Sequence, residues 1–369
     1  MSLVLYRKYR PKTFSEVIGQ THVIQTIAGA INSGRISHAY LFAGPRGTGK
    51  TTVARLLAKA INCETKGSYE PCNKCFSCLE FAEGRALDLI EIDAASNRGI
   101  DEIRELRDNI RFTPARAKYK VYIIDEVHML TKEAFNALLK TLEEPPAHAI
   151  FILATTEIHK VLPTILSRTQ RFDFKKLSLT EIIKRLSLIS KKEKVKAEKG
   201  ALELIAINAD GSMRDAESML GQVITYASQD GKITLEEVQQ VLGIVDINLV
   251  MKFIDVLIGK KSADALAFVN KLLSEGHDLV QFTNSLINYF RKLLFVKIDK
   301  NLSPLIGEEL TKEQLAVVLK QAEKISLENL SKIIQLFIDA NREIKYSSLP
   351  QIPLELAVIE AAKLMSSEQ

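Results

Sequence analysis

Residues 38–51 read HAYLFAGPRGTGKT, and this stretch decides the fold of the first part of the chain. The apolar run that ends at Ala43 is typical of a buried strand. Apolar residues with helical spacing follow it, at Val53, Leu56, Leu57 and Ala60. Between strand and helix, residues 44–51 match GxxxxGK[ST], a loop that cradles phosphates when it joins these two elements. This position argues against the alternative, a glycine-rich turn that binds nothing.

The residue types in the loop fit phosphate chemistry. Glycines let backbone amides turn toward phosphate oxygens, and the N-terminus of the next helix adds a positive dipole. We expect Lys50 to neutralise the β and γ phosphates of a nucleotide and the Thr51 hydroxyl to bind Mg²⁺. The predicted nucleotide-binding residues of the loop are Gly44, Pro45, Arg46, Gly47, Thr48, Gly49, Lys50, Thr51 and Thr52.

Two carboxylates end a second apolar run, VYIIDE at residues 121–126. We expect Asp125 to hold the metal through water and Glu126 to act as a general base on an attacking water. An acidic pair that ends a strand is often simply solvated, but its combination with the phosphate loop favours catalysis. His128 follows closely; since a lone histidine is usually structural, we assign it no role.

The remaining patterns indicate an α/β fold with helical additions. Further strand-like segments, residues 87–93 and 149–155, alternate with amphipathic stretches, which predicts a parallel sheet with helices on both faces. After about residue 178 the periodicity is helical. At roughly 150 residues per domain, 369 residues predict two or three domains. We expect a parallel-sheet domain, a small helical unit and an all-helical C-terminal domain.

All four cysteines lie close together, at Cys63, Cys72, Cys75 and Cys78. Four thiolates at this spacing suit a closed tetrahedral Zn²⁺ site, which leaves no open position for catalysis and is therefore structural. An iron–sulfur cluster is the chemical alternative. Disulfides are disfavoured in the cytoplasmic compartment that we expect for this chain.

Composition narrows the classes of function. Lysine and arginine exceed aspartate and glutamate by only 50 to 45, so any nucleic-acid contact should be confined to one face. No apolar run approaches the roughly 20 residues that span a bilayer, so we expect no membrane association. The N-terminal MSLVLYRKYRPKTF has no apolar core after its charges, which predicts a cytoplasmic protein.

Several motifs together resemble the AAA+ clamp-loader ATPases over essentially the whole chain. They are the phosphate loop, residues 6–11 (YRKYRP), 14–20 (FSEVIGQ), 125–130 (DEVHML), 167–168 (SR) and 211–215 (GSMRD). The resemblance implies an AAA+ P-loop domain at residues 1–178, with a zinc-module insertion at about 63–78. It further implies a helical lid domain at 179–242 and a helical collar for oligomerisation at 243–369.

The resemblance also assigns residues to the nucleotide. Arg7, Arg10, Val17 and Ile18 match the family's adenine cradle; the alternative is an N-terminal tail with an apolar anchor. Thr155 matches the polar sensor of the γ phosphate or the attacking water. Arg214 matches the second sensor, which connects nucleotide and lid. Because Ser212 and Asp215 also match a capping pair, the alternative for Arg214 is a solvated arginine at a helix start.

Arg168 resembles the arginine that reaches the ATP of a neighbouring subunit. Such a residue neutralises transition-state charge, so hydrolysis should depend on assembly. Thr169 departs from the family, which usually has cysteine there, and this leaves the arginine itself intact. A structural salt bridge is the alternative use of Arg168.

The function implied by the resemblance is an ATPase that drives assembly of a replication complex. ATP binding and hydrolysis would couple to loading of a sliding clamp onto primer-template DNA. The implied partners are further copies of this chain, the delta and delta prime subunits, the clamp and the polymerase holoenzyme, although no polymerase active site is visible. Residues Asn97, Arg98 and the helix start near Asp101 would contact DNA phosphates.

Two alternative functions remain. An AAA+ helicase or branch-migration motor would share Lys50, Asp125 and Glu126, but it would need a duplex-binding domain, and residues 246–369 show no DNA-binding motif. A non-hydrolysing scaffold would be expected to lack the phosphate loop or the base, and here both are complete.

Overall fold

A computed structural model describes residues 4–65, 67–96, 106, 109–227, 231–243, 246–259, 262–299 and 310–366. Its contacts divide the chain into two compact units, Met1–Leu235 and Glu236–Gln369.

The first unit is built on a parallel sheet. Among the described residues its strands are β1 (Ala39–Ala43), β2 (Leu89–Asp93), β3 (Lys120–Asp125), β4 (Ala149–Thr155) and β5 (Gln170–Asp173). They are arranged in the order β2-β3-β4-β1-β5, and every pairing is parallel. The carboxyl ends of the strands therefore share one edge, where open α/β sheets bind their ligands. The phosphate loop follows β1 at this edge, and Asp125 is the last residue of β3.

Helices cover both faces of this sheet. In the described residues they are α2 (Thr21–Asn32), α3 (Lys50–Ile61), α4 (Phe76–Glu83), α5 (Lys132–Glu143) and α6 (Pro163–Leu166). The short helix α1 (Leu5–Lys8) precedes them and contacts residues 213–226. Because side chains alternate along a strand, β1 contributes Tyr40 and Phe42 to one apolar cluster and Leu41 to the other. The first cluster includes Val53 and Leu57 of α3. The strands thus need apolar residues on both faces, as the near-continuous apolar runs predicted.

A helical segment completes the first unit. It contains α7 (Leu179–Lys192), α8 (Lys199–Asn208) and α9 (Met213–Tyr226), together with the two-residue strands β6 (Lys196–Ala197) and β7 (Lys232–Ile233). Helix α7 begins with a capping box in which Ser178 and Glu181 satisfy each other's backbone amides. Ser212 caps α9 by accepting a hydrogen bond from the Asp215 amide at 3.2 Å.

The second unit is helical in its described residues. Its helices are α10 (Leu235–Leu242), α11 (Ile247–Ile258), α12 (Ser262–Ser274), α13 (Leu279–Ile298), α14 (Lys312–Glu323), α15 (Leu327–Ile344) and α16 (Gln351–Ser366). Aromatic rings fill its core, with Phe290 stacked on Phe337 at 5.5 Å. A buried polar pair lies within this core: the Tyr289 hydroxyl donates to Gln321 Oε1 at 2.6 Å. Burial raises the pKa of Tyr289 further above its ordinary value, which favours the protonated hydroxyl that donates here.

The strands and helices predicted from periodicity are present, with small shifts at their ends. Strand β5 was not predicted, because only Phe172 of its four residues is buried and the segment lacks an apolar run. Strands β6 and β7 are too short to show an alternating apolar pattern in the sequence. No helix in the described part of the chain combines the length and the apolar composition that crossing a bilayer requires.

Candidate nucleotide and metal sites

A cavity opens at the carboxyl edge of the sheet, and three walls enclose it. The loop wall consists of residues 46–52 with Asp125 and Glu126. The N-terminal wall consists of residues 10, 11 and 16–18 with Tyr6. The helical wall consists of Leu177, Arg185, Met213, Arg214 and Glu217. The cavity thus collects most of the predicted nucleotide-binding residues, including Arg10, Val17, Ile18 and Arg214.

Backbone conformations at two glycines shape the loop wall. Gly44 has φ +148°, and a Cβ there would overlap the carbonyl oxygen of Phe174. Gly47 has φ +74°, and its Cβ would overlap the Ser212 hydroxyl. The Met213 amide also donates to the Gly47 carbonyl at 3.1 Å. The loop is therefore packed directly against the start of α9, which a side chain at Gly47 would prevent, and against Phe174, which a side chain at Gly44 would prevent.

Lys50 lies buried beneath the loop. Its Nζ donates to the carbonyl oxygens of Gly44 at 2.7 Å and Pro45 at 2.8 Å. Those two residues contact Lys50 and are not part of the cavity lining. Burial lowers the pKa of Lys50, and the negative charges of Glu126 and Asp125 oppose that shift. The two carboxylates thus favour the charged form of the lysine in a poorly solvated position.

Thr51 and Asp125 form the pair expected of a magnesium site. The Thr51 hydroxyl donates to Asp125 Oδ2 at 2.7 Å, across 74 residues of sequence. The other oxygen, Oδ1, accepts the Glu126 amide at 3.0 Å. Hydroxyl and carboxylate oxygens are ligands that Mg²⁺ prefers, directly or through water. The donor set therefore fits this cation.

Glu126 lines the cavity in a left-handed backbone conformation with φ +48°. Its Oε2 accepts the Thr156 hydroxyl at 2.8 Å and the Thr156 amide at 3.2 Å. Thr156 therefore fixes the orientation of the carboxylate that we predicted to be the base. Sequence analysis missed this threonine. Its only signal is its position one residue beyond β4, the strand that pairs with β3.

His128, to which we assigned no role, lies at the same cluster. Its side chain is 4% exposed, and its Nδ1 is 3.4 Å from Glu126 Oε2. The same nitrogen lies 2.9 Å from the hydroxyl of Thr155, the predicted sensor, which is fully buried. Its Nε2 is 3.5 Å from Glu157. The imidazole thus connects the sensor with the predicted base, although Thr155 itself does not line the cavity.

The predicted adenine cradle is only partly assembled at the cavity. Arg10, Val17 and Ile18 line it, but Arg7 does not. The Arg7 guanidinium lies 5.8 Å from the centre of the Tyr6 ring, and Tyr6 takes the place at the cavity. The Arg214 guanidinium also lies over the Tyr6 ring, at 5.0 Å. The aromatic ring therefore joins the N-terminal and helical walls, a role that sequence reasoning did not give to it.

A buried ion pair in the helical wall was also missed. Arg185 Nε donates to Glu217 Oε1 at 3.2 Å, and the Arg185 guanidinium also donates to the Tyr9 carbonyl. Glu217 is 5% exposed. Burial raises its pKa to about 7, although the charge of Arg185 and its hydrogen bond oppose the shift. The pair ties α7 and α9 to the N-terminal segment.

Arg168 lies away from this cavity. Its Nη2 forms an ion pair with Glu143 at 2.8 Å, and its Nη1 donates to the Thr164 carbonyl and the Ser167 hydroxyl. The guanidinium is one-third exposed. These contacts are compatible with the structural salt bridge and with an arginine presented to another subunit.

The four cysteine sulfurs form one cluster, with every pair within 4.8 Å. A tetrahedral zinc site with Zn–S bonds of about 2.3 Å needs sulfurs about 3.8 Å apart, and Cys72 and Cys78 are 3.9 Å apart. Amides of Lys74 and Cys75 donate to the Cys72 sulfur. With the Thr65 side chain as the largest cause, these hydrogen bonds lower the pKa of Cys72 to about 5. Burial raises the pKa of Cys78 in the same cluster. The fit to a thiolate-bound metal therefore rests on the spacing of the four sulfurs.

The predicted DNA-contacting residues Asn97, Arg98 and Asp101 lie outside the described residues.

Comparisons with known proteins cover most of the chain. Residues 19–178 match the family "DNA polymerase III, delta subunit". Residues 181–229 match "DNA polymerase III clamp loader subunit, ATPase lid domain". Residues 233–369 match "DNA polymerase III subunits gamma and tau domain III".

Two curated relatives illustrate the match. The chain is 45% identical to DNA polymerase III subunit tau of Bacillus subtilis, over 96% of this chain and 62% of that protein. It is 37% identical to DNA polymerase III subunit gamma of Buchnera aphidicola, over 96% of this chain and 97% of that protein. The chain thus spans about half to three-fifths of the tau relatives and nearly the whole of this gamma relative.

Among solved structures, the RuvB Holliday junction branch migration motor of Thermotoga maritima has 21% identity and a TM-score of 0.49. The alignment covers 68% of this chain and 79% of that one. The sheet order, the lid match and the helical second unit confirm the predicted fold class, an AAA+ parallel sheet with helical additions. The resemblance stated from the motifs is likewise confirmed: the chain belongs to the family of DNA polymerase III gamma and tau subunits.

Proposed function

We propose that this chain is an ATPase subunit of a DNA polymerase III clamp loader, which couples ATP binding and hydrolysis to loading of a sliding clamp onto primed DNA. One observation carries the ATPase part: Lys50, Thr51, Asp125 and Glu126 converge on one cavity beside a phosphate loop. Family membership supports the clamp-loading part.

The loop wall would bind the triphosphate. Backbone amides of residues 46–51 and the N-terminus of α3 supply donors and a positive dipole, and Lys50 supplies charge. Mg²⁺, when bound, would neutralise phosphate charge. Thr51 and Asp125 would hold it, because their oxygens already share one hydrogen bond at the cavity. The N-terminal wall, with Val17, Ile18 and Arg10, would receive the adenine.

Glu126 would take the proton of the attacking water. Its carboxylate lines the cavity, and Thr156 fixes one of its oxygens at 2.8 Å. No donor in the described part of the chain contacts the second oxygen, Oε1, which would accept a hydrogen bond from the water, as general-base catalysis requires. Thr155 and His128 would position this acid–base cluster, since His128 contacts both Thr155 and Glu126.

Arg168 would act on the ATP of a neighbouring copy. In its own chain Arg168 forms an ion pair with Glu143 and does not line the cavity. An arginine that a neighbouring subunit supplies to the transition state raises the rate of phosphoryl transfer about 10³–10⁵-fold. Hydrolysis would therefore be fast only in the assembled complex.

The helical wall would transmit the state of the nucleotide. The loop contacts the start of α9 through Gly47, Ser212 and Met213, and Arg214 lines the cavity two residues beyond the cap. A γ phosphate bound at Arg214 would strengthen this existing contact between α9 and the loop, and loss of the phosphate would weaken it.

Family membership supports the following proposal for the partners. We propose that the second unit is the collar that joins copies of this chain with delta and delta prime subunits. The complex would then bind the clamp, primer-template DNA and the polymerase holoenzyme. The cysteine cluster would hold one structural Zn²⁺, because four thiolates leave no open position.

The decisive experiment reconstitutes the loader from this chain, its partner subunits and the clamp. We expect ATP turnover to rise strongly with clamp and primed DNA, and the clamp to be deposited on that DNA. Lys50→Ala should abolish both. Equal clamp deposition by wild type and Lys50→Ala would contradict the proposal, as would translocation along DNA without any clamp, which indicates a motor.

A further inference from the structure

The cysteine-bearing insert, residues 63–78, contacts the segment that leads into the N-terminal wall. Residues Phe14–Glu16 form a single 3-10 turn whose N-cap residue, Thr13, provides no capping hydrogen bond. The first amides of such a turn have no partner within the turn itself. Here Glu70 satisfies them: Oε2 accepts the Phe14 amide at 2.7 Å, and Oε1 accepts the Ser15 amide at 2.8 Å. A carboxylate 55 residues away thus caps this turn with both oxygens.

Two further contacts bind the same pair of segments. The Phe14 side chain is 1% exposed, and its ring lies 6.3 Å from that of Tyr69, the neighbour of Glu70. On the other side, buried Lys59 of α3 donates to the Lys12 carbonyl at 3.5 Å and also to the Asn73 side chain. Asn73 lies between Cys72 and Cys75. The insert therefore holds the turn by charge, by ring packing and through Lys59.

The turn passes this restraint directly to the cavity. Its last residue, Glu16, lines the cavity, and Val17 and Ile18 follow at once. Glu16 Oε2 also accepts the Lys12 amide at 2.7 Å, which closes the segment on itself. One residue, Ser15, therefore separates the Phe14 amide that Glu70 binds from the cavity wall. In contrast, none of these contacts involves the loop wall.

We infer that the cysteine-bearing insert supports the base-binding end of the cavity, and that Glu70 is the positioning residue through which it does so. This inference rests on the proposed nucleotide binding. Glu70 does not line the cavity. It acts by fixing the path of residues 14–18, so that Val17 and Ile18 are preorganised for the purine. A metal on the four cysteines would hold the insert that carries Glu70.

The two ends of the cavity make a selective test possible. Hydrogen bonds from backbone amides to a carboxylate are stronger than those between neutral groups. Because Glu70 does not contact the nucleotide, only part of their free energy contributes to ATP binding. We therefore expect a substitution of Glu70 to lower the affinity for ATP by about three- to tenfold. Glu70→Gln retains one acceptor and places an amide group against a backbone amide. This substitution should weaken the binding of ATP and ADP. Inorganic tripolyphosphate, which has no base, should bind as tightly as it does to the wild type.

The experiment measures displacement of a fluorescent ATP analogue by ATP, ADP and tripolyphosphate, with Mg²⁺, for five forms of the full chain. They are wild type, Glu70→Gln, Glu70→Ala, Lys50→Ala and the matched control Glu64→Gln. Glu64 lies in the same insert but accepts the Ser77 amide within it. We expect the control to match the wild type, and Lys50→Ala to weaken tripolyphosphate as well as ATP.

Each outcome has one meaning for the inference. Weaker binding of ATP by Glu70→Gln, with unchanged binding of tripolyphosphate, supports the inference. In steady-state turnover the same variant should show a raised KM at constant kcat. Unchanged ATP affinity overturns it, and so does an equal loss for both ligands, which indicates general damage. Glu70→Ala, which removes both acceptors, must show the same pattern more strongly. If wild type binds no ATP, the proposed function fails first, which is a different result.

Discussion

The loop wall and the N-terminal wall of the cavity are constructed in opposite ways. The loop wall comes largely from one continuous stretch, residues 46–52, and its buried lysine bonds carbonyls only five and six residues away. Its long-range contacts, from Thr51 to Asp125 and from Met213 to Gly47, add to this local framework. The N-terminal wall has little structure of its own. It is held by Glu70 from the insert and by the Arg185–Glu217 pair through Tyr9. Substitutions that loosen the N-terminal wall and strongly affect binding of the base should therefore leave phosphate binding and hydrolysis largely unchanged.

Among substitutions at the cavity, the largest effect should follow from Glu126→Gln. The amide keeps the shape of the side chain but cannot take a proton, so we expect turnover in the assembled loader to fall by about 10²–10⁴-fold. ATP affinity should change less than twofold, because residues 46–52 and Asp125 remain unchanged. Rapid-quench hydrolysis and equilibrium binding measure the two quantities. A loss of affinity equal to the loss of turnover would show that Glu126 binds nucleotide and does not act as a base.

Removal of a cysteine ligand should destabilise the chain without abolishing phosphate binding. Structural zinc contributes about 10–16 kcal/mol of binding energy in small metal-dependent modules, and Cys72→Ser removes one of its four ligands. We expect loss of one bound Zn²⁺ per chain, measured by atomic absorption, and faster proteolysis of residues 63–78. Tripolyphosphate should still bind. Full metal content in Cys72→Ser would contradict the four-thiolate site, and iron in place of zinc would favour the cluster alternative.

A buried carboxyl in the helical wall should make stability depend on pH. Burial raises the pKa of Glu217 to about 7, whereas the unfolded chain titrates this group near about 4.3. Between these values the folded state keeps a proton that the unfolded state has lost, so stability falls as pH rises. We expect wild type to lose about 1–3 kcal/mol relative to Glu217→Gln between pH 4.5 and 7.5.

Chemical denaturation across this pH range measures the difference. Glu203→Gln is the matched control, since Glu203 lies in the neighbouring helix α8 with an exposed partner, Lys199. It should leave the slope of stability against pH unchanged. Parallel curves for wild type and Glu217→Gln would show that Arg185 stabilises the charged carboxylate fully.

The smallest effect should come from Thr156→Val. The substitution removes one hydrogen bond to Glu126 and preserves the side-chain volume, and the Thr156 amide continues to donate. We expect turnover to fall about tenfold or less, because a hydrogen bond to a charged group contributes about 1.5–3 kcal/mol and the amide compensates in part. ATP binding should not change. A loss as large as that of Glu126→Gln would place Thr156 itself among the reacting groups.

The sequence predicted what short motifs encode. The phosphate loop, the Asp125–Glu126 pair and the cysteines depend on spacing along the chain, so the residues could be named and the structure brings them together. What it could not predict are contacts between distant segments. Glu70 at the Phe14 turn, Tyr6 beneath Arg214 and the Arg185–Glu217 pair depend on packing that no local pattern records. Strand β5 was missed for the same reason, since its partner β1, and not its own composition, makes it a strand.

The most direct test of the proposed function is ATP turnover by Arg168→Ala, measured both for the isolated chain and for the reconstituted loader with clamp and primed DNA. Since Arg168 lies outside the cavity of its own chain, we predict little change in the slow turnover of the isolated chain. In the loader we predict a loss of about 10³-fold or more. Equal turnover by the isolated wild-type chain and the complete loader, or an Arg168→Ala loader as fast as wild type, would contradict hydrolysis that depends on a neighbouring subunit.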